Sequence, residues 1–210
     1  MRSAGAQQPT TALMTSMAAN AKQLKQYTFK QRTEMYHKGD LKNAKIDEIH
    51  YSTTGERISV PLGEQKADSA PRRRGPGSRV IAKKIESKQE EMKEYVERLM
   101  SLTSRYLASD PGKLQAAFAT ADVTMVGSSN LLRVVIRNYV KSGDTMTMTF
   151  DKSTNRATKT EVTTNLDDGS VTIALAYDQL HDGLTYPGKT AITSAAAQLE
   201  MRIYTYDYRI

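Results

Sequence analysis

Cysteine is absent from all 210 residues. Disulfides, thiolate zinc sites and cysteine nucleophiles are thereby excluded, and the composition suits either the cytoplasm or an oxidising periplasm. Long hydrophobic runs are missing too. No stretch of about 18 apolar residues occurs, so no segment qualifies as a membrane-spanning helix. Hydrophobic residues make up 39% of the chain and charged residues 25%. That apolar share is low for a compact globule, so exposed or mobile segments are expected around the core.

Catalytic signatures are also lacking. There is no Gly-x-Ser-x-Gly elbow and no phosphate-cradling Gly-x-x-x-x-Gly-Lys-Ser/Thr. Gly75-Pro76-Gly77 follows no strand suited to a dinucleotide-binding turn and reads as a loop. The histidines, His37, His50 and His181, have no second histidine or carboxylate at metal-ligand spacing, so no metal is assigned. Asp167 and Asp168 resemble paired carboxylates but sit in a turn sequence, where their type is expected for backbone reasons. No catalytic residue and no cofactor is assigned, and the chain reads as a non-enzyme. No internal repeat of fixed period is visible.

Charge is present in excess of one sign. The formal net charge is +7. The surplus is local: Arg72, Arg73, Arg74, Arg79, Lys83 and Lys84 share one short segment. An arginine cluster can grip phosphates with strong salt dependence. Stacked recognition of nucleic-acid bases needs interleaved aromatics, and none lies between Arg72 and Lys84, which argues against a nucleic-acid partner. The readings left open there are a solvated loop, anionic-polymer binding through Arg72, Arg73, Arg74 and Arg79, and peripheral contact with anionic lipid headgroups.

Along the chain, residues 1–9 read as a disordered tail or the remnant of a signal or tag. Ala4-Gly5-Ala6 has the small-x-small form of a signal-peptidase site, whereas a cloning scar or flexible start gives the same texture. Residues 10–210 are expected to form one α+β domain. Thr10 and Thr11 offer N-caps for a helix ending near Gln26, with Leu13, Met14, Met17, Ala21 and Leu24 as its apolar stripe. Strand alternation begins at Tyr27, a turn is expected at Gly39-Asp40, and strands follow over 44–52 and 57–62. A flexible basic loop is predicted over 63–79 and a helical insertion over 80–118. In the insertion, Ile81, Ile85, Met92, Tyr95, Leu99, Leu102 and Tyr106 share one face. Glu94 and Arg98 pair at i,i+4, and Asp110-Pro111 starts a second short helix.

From Asp122 onward the texture is β. Expected strands are 123–126, 131–140, 144–151 and 158–164. A hairpin follows at Asn165 to Gly169, with Asp168-Gly169 supplying positive φ. Val171 to Tyr177 alternates, Tyr186-Pro187-Gly188 reads as a turn before a strand at 189–193, and 198–208 closes the chain. The predicted architecture is a curved antiparallel sheet, a half-barrel-like meander, with an N-terminal helix and the long helical insertion on one face.

Two surfaces are candidates for binding. Met146, Met148 and Phe150, with Val171, Ile173 and Leu175, make an apolar sheet face. Fully covered it is core; partly covered it is a groove for a hydrophobic small ligand or lipid, to which methionine adapts well. In the last strand Leu199, Met201 and Ile203 face one side and Tyr204, Tyr206 and Tyr208 the other. Either both faces find apolar partners there or a bulge switches the register.

This order of elements resembles the bacterial envelope lipoprotein-carrier and lipoprotein-receptor superfamily. The likeness lies in the opening strand Tyr27-Thr28-Phe29-Lys30-Gln31-Arg32, in Tyr186-Pro187 before the final hairpin, and in the closing Tyr206-Asp207-Tyr208-Arg209. The resemblance implies export, a periplasmic address and a concave cavity holding acyl chains or another greasy ligand. No functional residue is carried over from it, and the long charged helix and arginine-rich loop depart from its plan. The expected function is therefore a non-catalytic periplasmic carrier-type protein holding a lipid or acyl chain. The alternatives are an envelope protein-protein interaction module without a small ligand, or anionic-polymer binding.

Overall fold

The computed structural model describes residues 7–66, 78–107 and 111–210. Helix α1 spans Gln7–Leu24, and strands β1 (Thr28–His37), β2 (Asp40–Tyr51) and β3 (Arg57–Lys66) follow. The insertion comprises α2 (Ser78–Leu107) and α3 (Pro111–Ala119). The rest is β: β4 (Asp122–Met125), β5 (Leu131–Arg137), β6 (Thr145–Asp151), β7 (Arg156–Leu166), β8 (Gly169–Gln179), β9 (Thr185–Ser194) and β10 (Leu199–Arg209). All ten strands form one open, curved antiparallel sheet in the order β3-β2-β1-β10-β9-β8-β7-β6-β5-β4. The two runs of the meander join where β10 pairs with β1, so the chain's last strand sits mid-sheet. No helix among the described residues is long and apolar enough to cross a membrane.

The register explains which face is apolar. One row runs sideways through seven strands as Ile136, Met146, Val162, Ile173, Ile192, Met201 and Met35, each directly opposite the next. Period-two alternation puts the whole row on one face, here called inner, while Thr145, Thr147 and Thr149 of β6 point outward. The helices pack on the inner face. Leu13 of α1, Leu99, Leu102 and Tyr106 of α2, and Leu114 and Phe118 of α3 are buried in the same cluster as that row. The spacing of α2 follows from its side chains at 95, 99, 102 and 106, which fall on one stripe of a 3.6-residue period. Phe118 and Phe150 meet edge-to-face, centroids 6.2 Å apart.

Several boundaries depart from the sequence expectation. Helix α1 begins at Gln7, ahead of Thr10 and Thr11, and ends at Leu24. Strand β3 runs on to Lys66, with Gly63 opposite Ile46 and Lys66 opposite Asn43, so the predicted loop yields its first four residues to the sheet. Arg98 pairs with Asp167 of the β7–β8 turn at 3.0 Å instead of with Glu94. Strand β5 stops at Arg137 because Asn138 turns to φ +57. Tyr186-Pro187-Gly188 is no turn: it lies within β9, at a register shift where Tyr177 faces Pro187. A bulge removes a ladder bond, and that is where a residue without an amide donor fits. The Asp110 cap falls outside the described residues.

The β7–β8 turn shows a different physical cause from the one expected. Positive φ is carried by Asp167 (φ 51), not by Gly169. Gly169 is needed for closeness: a Cβ there would stand 2.8 Å from the Ala196 Cβ of the neighbouring hairpin. Gly169→Ala is therefore expected to destabilise the fold by about 1–3 kcal/mol, the usual cost of overpacking a fixed contact. Urea unfolding of that variant and of Gly169→Ala with Ala196→Gly measures it. If the double variant regains none of the loss, the close approach is not the cause.

Candidate functional site

The six residues proposed for the apolar face come together as expected of one surface. Met146, Met148, Phe150, Val171, Ile173 and Leu175 are all buried, none more than 4% exposed. They line no exposed groove in this state, because the helices cover them. The junction between sheet and cover is methionine-rich. Eight of the ten methionines sit at the helix–sheet junction: Met146, Met148 and Met201 inside it, and Met14, Met17, Met35, Met92 and Met100 packed against it. Side chains of that kind deform without strict shape complementarity.

Polar anchors hold the helices down. Tyr95 of α2 and the fully buried Ser194 of β9 share a 2.6 Å hydrogen bond. The Asn20 amide of α1 donates to the Thr185 carbonyl at 2.7 Å, and the Thr185 amide donates back to Asn20 Oδ1 at 2.8 Å. Deeper lies Asp144, 2% exposed. It accepts the backbone amides of Tyr139, Val140 and Lys141 and the hydroxyl of Tyr106 at 2.7 to 2.9 Å. A phenol has one proton and the carboxylate takes it, so Thr164 Oγ1, 2.9 Å from the Tyr106 oxygen, serves as its donor. Burial pushes the Tyr106 hydroxyl far up in pKa, and the hydrogen bond to Asp144 adds to the rise.

A second feature was not foreseen from the sequence. Pairing between β9 and β10 stops at Lys189 opposite Tyr204, while β9 continues beside β8 and β10 beside β1. The sheet therefore splits into a notch at that end. In β10, Asp207 adopts φ +55, and the register against β1 slips between Lys30–Tyr206 and Thr28–Arg209. One extra residue in β10 flips all that follow to the other face. Tyr208 consequently leaves the Tyr204–Tyr206 stripe and turns inward, so the bulge named as one of two options is the one adopted. Tyr208 stacks on Phe29 (4.7 Å between centroids, 12° between planes) and leans on Tyr186 (4.3 Å) and Tyr27 (6.2 Å). Desolvation raises the Tyr208 hydroxyl pKa, with the Thr205 bond opposing it. Tyr27 donates to Asp182 Oδ2 at 2.6 Å, which raises its own pKa and lowers that of Asp182. The signal available in the sequence was the density of tyrosine at both ends of β1 and β10; the bulge that gathers them leaves no such mark.

Of the anion-binding candidates, Arg72, Arg73 and Arg74 lie outside the described residues. Arg79 belongs to α2, but its side chain also lies outside them. Among the described residues no group of His, Asp and Glu is placed to hold a metal ion.

No known protein family matches the chain, and neither does any curated protein. Solved structures do. A DUF1329 family protein from Desulfovibrio piger is 7% identical over 96% of this chain and 92% of its own, with a TM-score of 0.42. A domain described as an outer membrane lipoprotein-sorting protein, from Vibrio parahaemolyticus, is 12% identical over 93% and 91%, TM-score 0.36. A LolA superfamily protein from Nitrosomonas europaea is 9% identical over 92% of each chain, TM-score 0.33. The last of these carries the name of the superfamily that the order of elements resembles. Likenesses of this size speak to neither ligand nor activity.

Proposed function

We propose that the protein is a non-catalytic carrier-type binding protein whose hydrophobic ligand, a lipid or acyl chain, enters between the helices and the inner face of the sheet. One observation supports this above all: eight of the chain's ten methionines pack in the cluster where that face meets its helices. A junction kept only for stability is served better by branched side chains with few rotamers, whereas thioethers re-pack around guests of varied shape. Met146, Met148, Phe150, Val171, Ile173 and Leu175 form the floor under this reading, and α1, α2 and α3 the displaceable roof. Export to the periplasm belongs to the same reading.

The test is a titration of the purified protein with N-phenyl-1-naphthylamine, together with native mass spectrometry and solvent extraction of the untreated sample. A saturable rise in fluorescence and co-purifying lipid are expected. A protein that stays dark and carries no extractable lipid overturns the reading. The alternative, an envelope interaction module, draws on Ile58, Val60 and Leu62, which are exposed on the edge strand β3. A stable partner captured by lipid-free protein, and lost on Val60→Lys, would favour it.

A further inference from the structure

The apolar row through the sheet does not run out into solvent at Met35. Its next member, directly opposite Met35 on β2, is Asn43. Directly opposite residues share a face. Thr33, Lys45 and Glu64 therefore point inward one step along β1, β2 and β3, and Gln31 and Asp47 one step further. The methionine row thus meets a polar corner on the same surface.

Most of this corner is matched internally. Arg57 Nη2 donates to Gln31 Oε1 at 2.9 Å, and Gln31 Nε2 donates to Thr33 Oγ1 at 3.3 Å. Lys45 pairs with Asp47 at 3.1 Å, and Asn43 Nδ2 donates to Glu64 Oε1 at 3.1 Å. One acceptor is left over. Asn43 Oδ1 is buried and meets no donor among the described residues. The bond to Glu64 fixes which end of the amide this is, because a flipped amide would set two acceptors against each other. Thr33 is 8% exposed, and its hydroxyl accepts from Gln31 but donates to no group among the described residues. Buried polar groups are nearly always paired, so an acceptor held dry at the end of an apolar row marks a place for a donor.

We propose that this corner binds an uncharged head with adjacent hydroxyls, a glyceride or glycosyl group, whose tail lies across the sheet over Met35, Met201 and Ile192 beneath the displaceable roof. Those three residues are successive members of the row that leads away from Asn43. One hydroxyl donates to Asn43 Oδ1 and its neighbour accepts from Thr33 Oγ1. The two residues are diagonal neighbours across β1 and β2, about 7–8 Å apart at the backbone, which two adjacent hydroxyls bridge. Lys45 and Arg57 balance Asp47 and Glu64 in charge, so an ionised head gains no net attraction there. The inference rests on the carrier reading and adds the chemistry of the head.

Monolaurin, dodecyl glucoside, methyl laurate and laurate, each below its micelle concentration, are to be compared as competitors of N-phenyl-1-naphthylamine. Monolaurin or dodecyl glucoside should compete at least about tenfold better than the two amphiphiles without donors, the scale of one or two hydrogen bonds to groups otherwise left unpaired. The better of the two names the head. The preference should shrink in Asn43→Leu and in Thr33→Val, vanish in the double variant, and survive added salt. Asn43→Leu should also keep or gain stability in urea, because it removes an unpaired buried acceptor. A loss of stability with the preference unchanged would make Asn43 structural and overturn the inference. Circular dichroism shows whether the variants fold, and the comparison of competitors on the unaltered protein stands even if one does not. If the fluorophore binds but the four competitors are equal, or laurate is preferred, or the preference survives in the double variant, the polar corner is wrong and the carrier reading stands. If the fluorophore does not bind at all, both fall.

Discussion

Asp144→Ala is expected to remove about 3–5 kcal/mol of folding stability, a large part of the 5–15 kcal/mol typical of a domain. The carboxylate closes the 138–144 loop by accepting three consecutive backbone amides, and it ties that loop to α2 through Tyr106. Truncation strands those donors in a site sealed from water, and each stranded buried donor costs about 1–3 kcal/mol. Urea unfolding followed by circular dichroism reads the loss. Tyr106→Phe removes one of the four donors and leaves the amides paired, so about 1–2 kcal/mol is expected there. A loss below 1 kcal/mol for Asp144→Ala would mean that the loop closes without it.

The same group predicts a pH dependence. Desolvation alone would raise the Asp144 carboxyl, but the Tyr106 hydroxyl and the amides of Lys141, Val140 and Tyr139 bond its ionised form and bring the net shift below the ordinary value. Unfolded chain binds the proton first as pH falls. The contribution is therefore complete above the ordinary carboxyl range and fades as pH drops through the folded value. Asp144→Asn, which cannot ionise, should flatten that part of the acid limb. Tyr106→Phe should narrow it. An unchanged acid limb in Asp144→Asn would assign the acid sensitivity elsewhere.

What the sequence displayed and what it hid divide along one line. Met146, Met148 and Phe150 were legible because a strand with one covered face must alternate, and their neighbours are threonines. Leu99, Leu102 and Tyr106 were legible because helical spacing repeats. Features made by irregular backbone were not. Pro187 and Gly188 carry the composition of a turn, yet here they occupy a bulge, and Gly188 is required because the Asp178 carboxylate lies where its Cβ would go. Asp207 has no residue preference strong enough to announce a left-handed bulge, so Tyr208 was assigned to the wrong face. Asp144 was read as the first residue of a strand, because no residue preference announces that the amides of Tyr139, Val140 and Lys141 just before it turn back onto its carboxylate. The polar rim of the inner face was hidden for a related reason. Gln31 and Asp47, directly opposite each other, occupy inward positions that alternation assigns to apolar residues, and Arg57 of β3 reaches across to donate to the Gln31 side chain.

The prediction that bears most directly on the carrier reading concerns α1. Leu13 is fully buried against the sheet, Met14 and Met17 pack beside it, and Asn20 is locked to the Thr185 backbone in both directions. A guest that enters beneath α1 to reach the Met146–Ile173 floor has to lift this helix. The chain has no cysteine to interfere, so Asn20→Cys with Thr185→Cys places the only two thiols in the protein on either side of that contact. Closing them, as a disulfide or with a short thiol cross-linker, bridges 165 positions of chain. By loop entropy this should stabilise the fold by about 4–5 kcal/mol. The closed form should take up N-phenyl-1-naphthylamine at least about tenfold less well than the reduced form, and reductant should restore uptake to a disulfide. Stabilisation and occlusion arising together place the ligand beneath α1. Stabilisation with undiminished uptake would mean that the fluorophore does not enter beneath α1. Uptake that survives the cross-link is assigned to the tyrosine cluster beyond the last β9–β10 pair if Tyr208→Ala abolishes it.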